Sequence, residues 1–398
     1  IRACHELGLK TFAVYAKEDE YGVHRFRADE AYQIGAGKKP IEAYLDMDDI
    51  IRVAKQTGAD AVHPGYGFLA ENEEFAQKCA DNGIIFIGPT VRQLQLFGDK
   101  VAAKEVAVKA GLKTIPGTDE PVQSIDEVRE FAHTHGYPIM IKAAMGGGGR
   151  GMRIVHDDDE LDGAYDRARS EAKQSFGDDE LYVEKYLKNP KHIEVQILAD
   201  QHGHVMHLFE RDCSVQRRNQ KVIEFAPSLA LSEERRQAIC QAAVKLMESV
   251  HYQNAGTVEF LVTDEDFYFI EVNPRIQVEH TVTELITDVD IVQSQILIAD
   301  GADLYQDLEL PAQDQLKYNG YGIQCRVTTE DPENNFMPDT GRIETYRSPG
   351  GMGVRLDGGN AYAGAVITPY FDSLLVKACV HGRTFKSAVR RMIRVLHE

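Results

Sequence analysis

Paired cysteines, long apolar runs and an excess of basic residues are all missing from this 398-residue sequence. Its six cysteines form no CxxC pair, so we expect no zinc site and predict reduced, mostly buried thiols of a cytosol-like compartment. No apolar run approaches the ~20 residues of a membrane helix, and no signal peptide is visible. Lys and Arg number 44 against 63 Asp and Glu, a formal charge of −19. That balance argues against general binding to nucleic acids or anionic membranes.

The residues that are present predict a globular protein of two or three domains, with 43% hydrophobic and 27% charged residues. Strands and helices alternate over residues 1–88, which predicts an α/β, doubly wound parallel sheet. Residues 122–187 form a smaller unit with the size of a mobile lid. From 192 to 323, antiparallel strands flank a helix that begins at Ser232 and ends at Val250, an α+β pattern. Short strands after 331 suggest a small closing domain.

One hairpin-like segment concentrates carboxylates. Two strand-like runs flank the letters TDED, and a three-residue loop there would place Glu259 opposite Glu271. The same face would also carry Leu261, Phe269 and Asn273. Two carboxylates ~5 Å apart repel by roughly 3 kcal/mol at an effective dielectric near 20, so the pair favours a bound cation. Oxygen ligands favour magnesium or manganese over zinc. Ordinary surface acids on a solvent-facing strand pair are the alternative.

Polar and apolar residues alternate strictly beyond this hairpin. An extended backbone would place four polar side chains on one face: Asn273, Arg275, Gln277 and Glu279. Arg275 and Glu279 would then lie close enough to grip one small anion between them. Glu279 is thus a candidate base, with pairing to Arg275 as the alternative role.

A run of glycines, MGGGGRG, follows a buried strand. Gly146, Gly148 and Gly151 fit G-x-G-x-x-G, but a strand and not a helix follows, so the pattern does not predict a dinucleotide fold. The loop could lay its backbone amides over phosphates, with Lys142 and Arg150 adding positive charge. A flexible linker is the alternative.

Three further segments leave two interpretations open. The strand end EKYL before Asn189 could contact an adenine through its backbone, or simply end the lid. The basic residues of ERDCSVQRRNQK could hold an anion or pair with nearby acids. The histidines His202, His204 and His207 have a spacing that suggests metal binding, but they surround a glycine turn, so we interpret them as surface residues.

Long motifs in this sequence resemble one enzyme family. HPGYGFLAEN, IKAAMGGGGRGMR, EKYLKNPKHIEVQ, ERDCSVQRRNQK, FIEVNPRIQVEHTVTE and YFDSLLVK closely resemble biotin carboxylase, an ATP-grasp enzyme, and the resemblance covers essentially the whole chain. Several segments resemble its pyruvate carboxylase branch more than the acyl-CoA carboxylases. The resemblance implies that MgATP phosphorylates bicarbonate and that the resulting carboxyphosphate releases carbon dioxide to N1 of a tethered biotin.

The resemblance also implies site residues. The catalytic residues would be Glu279, Arg275, Lys221 and Arg326. ATP would be bound by Lys100, Lys142, Gly147, Gly148, Gly149, Glu184, Lys185, Leu187, His192, Gln216 and Leu261. Bicarbonate would be bound by Arg275, Gln277 and Val278. The metal ligands would be Glu259, Glu271 and Asn273. One departure is Asn219, where the family usually has histidine.

The implied architecture is an ATP-grasp fold in three parts. Residues 1–95 would be a parallel α/β domain whose first strand is expected to precede Ile1, residues 96–330 the ATP-grasp domain with its lid at about 122–187, and residues 331–398 a truncated C-terminal subdomain. Implied cofactors are ATP, Mg²⁺ or Mn²⁺, and biotin on a carrier domain outside this chain. Implied partners are transferase and carrier domains of the same polypeptide and a homodimer within a homotetramer. The implied compartment is the cytoplasm, or the mitochondrial matrix in a eukaryote. Another ATP-grasp ligase and a non-catalytic nucleotide-binding regulator are the alternatives.

Overall fold

The computed structural model describes residues 1–143, 152–176, 179–218, 220–359 and 361–398, with only the backbone at 175 and 176. Several residues singled out from the sequence lie outside these ranges: Gly146, Gly147, Gly148, Gly149, Arg150, Gly151 and Asn219. None of the described helices is long and apolar enough to cross a bilayer.

The N-terminal part alternates helices with short parallel strand pairs, as predicted. Its elements are α1 (Arg2–Glu6), β1 (Phe12–Tyr15), a 3₁₀ turn (Lys17–Asp19), α2 (Val23–Arg27), β2 (Glu30–Gln33), α3 (Pro40–Tyr44), α4 (Met47–Thr57), β3 (Ala61–Val62), α5 (Glu73–Asp81), β4 (Ile85–Phe86), α6 (Val91–Gly98) and α7 (Lys100–Lys109). Strand β1 pairs with β2, and β3 with β4, both in parallel. Helix α4 begins where Asp46 accepts a hydrogen bond from the Asp49 N–H, and it ends at Gly58, whose φ is +67°.

The segment predicted as a lid has its own sheet and its own core. Its elements are α8 (Ile125–His135), β5 (Ile139–Ala143), β6 (Met152–Val155), α9 (Asp158–Phe176) and β7 (Leu181–Lys185). The strands form an antiparallel sheet in the order β6-β5-β7. Alternate residues of β5, Ile139 and Ile141, are fully buried against residues of α8 and α9. A strand follows the glycine run, as the sequence indicates, so the run connects two strands of a hairpin.

An antiparallel sheet of eight strands carries the rest of the chain. The elements are β8 (Lys191–Ala199), β9 (Val205–Arg217), β10 (Gln220–Ala226), α10 (Glu233–Ser249), β11 (Asn254–Val262), β12 (Phe267–Asn273), α11 (His280–Thr287), α12 (Ile291–Ala299), β13 (Tyr321–Thr328), β14 (Glu330–Asp331), β15 (Met337–Pro338), β16 (Gly341–Arg342), β17 (Val354–Gly358), β18 (Val366–Ile367), β19 (Leu374–Gly382) and α13 (Phe385–His397). The strand order is β12-β11-β8-β9-β10-β13-β19-β17. The sheet therefore continues through β13 into the C-terminal part.

The β11–β12 hairpin confirms that Glu259 lies opposite Glu271, but its loop differs from the predicted one. Thr263 N–H donates to the Asp266 carbonyl (2.9 Å), so the loop has two residues and not three. A bulge shifts the register by one residue and places Glu259 opposite Glu271. The bulge also turns Phe269 into the hydrophobic core, so the prediction that it shares the carboxylate face was wrong.

Two other predictions from periodicity were wrong. The residues after Asn273 do not remain extended, because the chain turns and Glu279 becomes the N-cap residue of α11. The turn before α11, and not strand alternation, therefore places that carboxylate. His207 is not a surface residue: it is 2% exposed, and burial lowers its pKa to about 4.

Candidate active site

A fully buried arginine forms the floor of the candidate site. Arg211 on β9 faces its cross-strand partner Glu194 on β8, and its Nε donates to Glu194 Oε1 at 2.5 Å. Its Nη2 donates to Gln277 Oε1 at 2.9 Å and to Thr257 Oγ1 at 3.2 Å. A guanidinium buried this deeply is stable only with such partners. Arg211 therefore fixes the position of Glu194 on β8 relative to the turn before α11.

Lys221 lies at the centre of three carboxylates. Its Nζ donates to Glu194 Oε2 (2.5 Å), Glu259 Oε1 (2.9 Å) and Glu279 Oε1 (2.8 Å). Burial alone would lower the pKa of Lys221, but the charges of Glu194, Glu279 and Glu259 outweigh it and hold that pKa well above its ordinary value. The ammonium is therefore permanently charged, and it gathers side chains from β8, β11 and the start of α11.

Glu259 also contacts the residues predicted to line the nucleotide channel. His192 Nε2 donates to Glu259 Oε2 at 2.6 Å, and Gln216 Nε2 donates to His192 Nδ1 at 3.2 Å. Burial favours a raised pKa for Glu259, but the hydrogen bond from His192 and the charge of Lys221 lower it instead. Possible ligand atoms of His192, Glu194 and Glu259 lie within 4.8 Å of one another. The group could accept a metal ion.

The predicted metal carboxylates differ in their partners. Asn273 Nδ2 donates to Glu259 Oε1 at 2.9 Å. Within the described residues, by contrast, no group hydrogen-bonds or ion-pairs with the Glu271 carboxylate, although it is partly buried and faces Glu259. Burial and then the charge of Glu259 raise the pKa of Glu271, which Lys100 on α7 partly offsets. A partly buried, unpaired carboxylate beside a second acid fits a bound divalent cation.

The segment from Arg275 to Glu279 is held from several sides. Arg275 Nε donates to Glu71 of the N-terminal part at 2.8 Å, and its Nη2 donates to Asn273 Oδ1 at 3.2 Å. Gln277 Nε2 donates to Glu259 Oε1 at 3.0 Å. Glu279 pairs with Lys221 and not with Arg275, so the alternative in which Glu279 only pairs with Arg275 was wrong. The Glu279 carboxylate is oriented instead by Lys221 and Arg326.

Arg326 on β13 lies between two acids. Its Nε donates to Glu224 Oε1 at 2.6 Å, and its Nη2 donates to Glu279 Oε2 at 3.1 Å. Burial and the neighbouring charge of Glu279 raise the pKa of Glu224 to about 7, against the lowering effect of Arg326. Gln324 Nε2 donates to the other oxygen of Glu224 at 3.0 Å. Both oxygens of Glu224 are therefore used as acceptors.

The described residues predicted to contact the nucleotide lie on α7, β5, β7, β8, β9 and β11, and Leu187 follows the end of β7. Lys142 on β5 pairs with Glu184 on β7. The N–H of Lys185 donates to the Pro116 carbonyl (2.8 Å), and the Lys185 Nζ donates to the Gly136 carbonyl (2.9 Å). In the part of the chain that the structure describes, the N–H of Leu187 has no acceptor. At this strand end the amide left for an adenine edge is that of Leu187, and not that of Lys185.

Leu261 is placed beside the same channel. It pairs with His192 across β11 and β8 and lies on the face of Glu259. Two buried acids that support the site, Glu194 and Glu224, were not predicted from the sequence. Arg211 belongs to the basic segment for which an anion or nearby acids were the two interpretations, and it pairs with an acid. One signal was available: Glu194 lies between Ile193 and Val195 in a strand that is buried from residue 193 to residue 199.

Comparisons with known proteins find relatives along the whole chain. Three family models match: "Biotin carboxylase, N-terminal domain" at residues 1–94, "Carbamoyl-phosphate synthase L chain, ATP binding domain" at 99–307 and "Biotin carboxylase C-terminal domain" at 324–398. Pyruvate carboxylase of Bacillus subtilis is 60% identical over 398 residues, which is 100% of this chain and 35% of that protein. Mitochondrial pyruvate carboxylase of Mus musculus is 55% identical, and the chain covers 34% of it.

Solved structures show the same similarity. The biotin carboxylase domain of a thermophilic 2-oxoglutarate carboxylase bound to bicarbonate has a TM-score of 0.93 at 46% identity, covering 100% of this chain and 86% of that one. The biotin carboxylase subunit of a pyruvate carboxylase has a TM-score of 0.88 at 48% identity, covering 100% and 86%. The chain belongs to the biotin carboxylase family of ATP-dependent carboxylases, with the ATP-grasp fold. It spans about a third of the length of the curated pyruvate carboxylases that it matches.

Proposed function

We propose that this chain carries out the MgATP-dependent carboxylation of biotin by bicarbonate, as the biotin carboxylase part of a pyruvate carboxylase. The observation that carries the proposal is the cluster of Lys221, Arg326 and Glu279, which places two cations and a carboxylate around one point beside the candidate metal residues. The whole enzyme would convert pyruvate, bicarbonate and ATP to oxaloacetate, ADP and phosphate. Identity to pyruvate carboxylases over the whole chain supports that assignment.

In the proposed mechanism, the anion site holds bicarbonate while Glu279 removes its proton. Arg275, Gln277 and the backbone of Val278 bind the anion, so the bicarbonate oxygen attacks the γ-phosphorus of ATP and ADP leaves. The product, carboxyphosphate, is steadied by Lys221 as it breaks into carbon dioxide and phosphate. The released phosphate takes the proton from N1 of biotin, Arg326 stabilises the negative oxygen of the resulting enolate, and N1 then captures carbon dioxide.

The nucleotide would lie between the lid and the large sheet. Its phosphates would meet Lys100, Lys142 and the glycine run that includes Gly147, Gly148 and Gly149. Its adenine would meet the strand end at Glu184, Lys185 and Leu187. Its ribose and channel contacts would come from His192, Gln216 and Leu261. Glu259, Glu271 and Asn273 would hold a Mg²⁺ or Mn²⁺ ion, which would neutralise phosphoryl charge when bound.

The partners and the placement in the cell belong to the same proposal. Biotin would arrive on a carrier domain, and a transferase domain of the same polypeptide would use the product, because the curated relatives are about three times as long as this chain. A homodimer within a homotetramer is proposed, and one solved neighbour is described as a domain dimer. The compartment would be the cytoplasm, or the mitochondrial matrix in a eukaryotic parent, since relatives include bacterial and mitochondrial proteins.

The decisive experiment is an ATP cleavage assay. Cleavage should require bicarbonate and should be stimulated by free biotin; ATP cleavage that depends on an amine or a carboxylate other than bicarbonate would favour another ATP-grasp ligase. With the intact protein, product formation from pyruvate is compared with that from 2-oxoglutarate and from an acyl-CoA. Carboxylation of pyruvate alone supports the proposal, and carboxylation of another acceptor overturns the pyruvate assignment.

A further inference from the structure

A buried lysine lies directly behind the turn that carries Glu279. Lys377 on β19 is 6% exposed, and its Nζ donates to the Val278 carbonyl at 3.0 Å. The nearest carboxylate is that of Asp357 on β17, with Oδ2 at 3.4 Å. An ammonium in the interior is costly unless it is paired and hydrogen-bonded. The residue therefore has a defined pair of partners, one of which is the backbone of the proposed bicarbonate site.

The partner acid is itself held in place. Arg355 binds Asp357 with two hydrogen bonds, Nε to Oδ1 at 2.9 Å and Nη2 to Oδ2 at 3.0 Å. Its Nη1 donates to Glu284 on α11 at 2.6 Å. Asp357 and Lys377 are cross-strand partners, and Lys377 also faces Arg326 on β13. The ammonium therefore cannot shift without disturbing three strands and α11.

The contact with Val278 fixes a peptide plane. Because a trans peptide is planar, its C=O and the following N–H point in opposite directions. When Lys377 holds the Val278 carbonyl, the N–H of Glu279 must point away from β19. Among the described residues, neither the N–H of Val278 nor that of Glu279 has an acceptor. The preceding carbonyl, of Gln277, is held by His280 Nδ1 at 2.7 Å.

We propose that Lys377 is a positioning residue for bicarbonate: by holding the Val278 carbonyl it orients the peptide between Val278 and Glu279, so that the free backbone N–H and the carboxylate of Glu279 face the anion. This inference rests on the proposed function. Lys377 touches the turn and not the substrate, so its effect falls on the step that uses the turn. Bicarbonate binding should depend on it, and nucleotide binding should not.

The test is Lys377→Met in the intact protein, which keeps the length of the side chain and removes its charge and donors. The KM for bicarbonate should rise by about tenfold or more, since a lost hydrogen bond from a charged group typically has this effect. The KM for ATP should change by less than about twofold. Lys386→Met, an exposed residue at the start of α13, is the matched control and should leave both KM values unchanged.

Two further variants separate positioning from folding. Lys377→Met combined with Asp357→Asn also removes the carboxylate charge, which the single variant leaves balanced by Arg355 alone, and Lys377→Arg keeps a charged donor, so both should fold. The double variant should show the same rise in the bicarbonate KM, and the arginine variant a smaller one. A bicarbonate KM within about twofold of wild type in the variants that fold, or a loss of kcat alone, would overturn the inference. Failure of the proposed function is a distinct result, because the unmodified protein would then show no bicarbonate-dependent ATP cleavage.

Discussion

At the scale of single residues, the candidate site consists of charges that compensate one another. Lys221 and Arg326 each lie between acids, and Arg211 beneath them is fully buried. Breaking one buried pair leaves the remaining charge uncompensated, which costs several kcal/mol in typical proteins, about 3–5. Conservative changes from acid to amide, which keep volume and hydrogen bonding, are therefore the informative variants here.

For Glu279→Gln, we predict that bicarbonate-dependent ATP cleavage falls by at least about 100-fold, because the variant keeps the size of the side chain and loses the base. ATP affinity should change little. Initial rates with saturating ATP measure the first effect and nucleotide titration the second. Glu248→Gln, on the exposed surface of α10, is the control. A variant that kept more than about a tenth of the rate would make Glu279 only a structural partner of its two cations.

For Glu271→Gln, we predict opposite effects on stability and activity. Loss of an unpaired, partly buried charge opposite Glu259 removes repulsion, so the metal-free protein should melt at the same or a higher temperature. Turnover should fall far more than ATP affinity, because the metal is needed mainly while phosphoryl charge moves. Thermal unfolding with and without MgATP, alongside rates, checks both. Equal losses in affinity and turnover would argue against a metal carboxylate.

A pH effect is predicted at Glu224. Its pKa is raised to about 7, first by burial and then by Glu279. Above that pKa both oxygens accept hydrogen bonds, whereas below it one oxygen carries a proton and the hold on Arg326 weakens. The KM for biotin should therefore rise by a few-fold as pH falls from about 8 to about 6. In Glu224→Gln this dependence should vanish; an unchanged pH profile in that variant would assign the titration to another group.

At the scale of elements, the unit of α8, β5, β6, α9 and β7 is the part of the chain most separate from the large sheet. It has its own hydrophobic core. Backbone hydrogen bonds join it to residues 118–122, among them Thr118 N–H to the Val183 carbonyl (2.9 Å) and Val122 N–H to the Leu181 carbonyl (2.8 Å). A unit with a separate core can move as one body about its connections. This organisation is what supports the proposed lid at residues 122–187.

We predict that MgATP protects this unit from hydrogen exchange. Amides of β5 and β7 should exchange more slowly when nucleotide is bound, because closure lowers the population of open states. Amides of α10, which packs against β8, β11 and β12 of the large sheet and not against the lid sheet, provide the internal reference. Exchange that MgATP leaves unchanged in β5 and β7 would argue against a lid that closes on the nucleotide.

At the scale of the whole molecule, the large sheet joins the parts of the chain. Strand β10 pairs with β13, which pairs with β19, so the C-terminal residues extend the sheet that carries Glu259. The N-terminal part reaches the same site through Glu71, which binds Arg275. The three proposed domains, divided at residues 95 and 330, therefore all supply contacts to one candidate site.

We predict that the chain forms a homodimer in solution. Met352, at 87% exposed, and Tyr21, at 69%, are large apolar or aromatic side chains left in water, and a solved neighbour is described as a domain dimer. Light scattering coupled to size exclusion should give twice the chain mass at micromolar concentration. A monodisperse monomer with full activity would contradict this prediction.

The sequence by itself determined the family, the order of elements and the types of residue at the site, because helix caps, strand alternation and long motifs are local in the chain. It also placed Glu259 opposite Glu271, although the loop length was wrong. Tertiary structure alone decided which charges meet, through the turn that places Glu279 before α11 and the contacts of Arg211 and Lys377. It also decided the bulge that buries Phe269. These depend on the pairing of strands far apart in sequence, and the energy of a buried charge is set by neighbours that no local pattern contains.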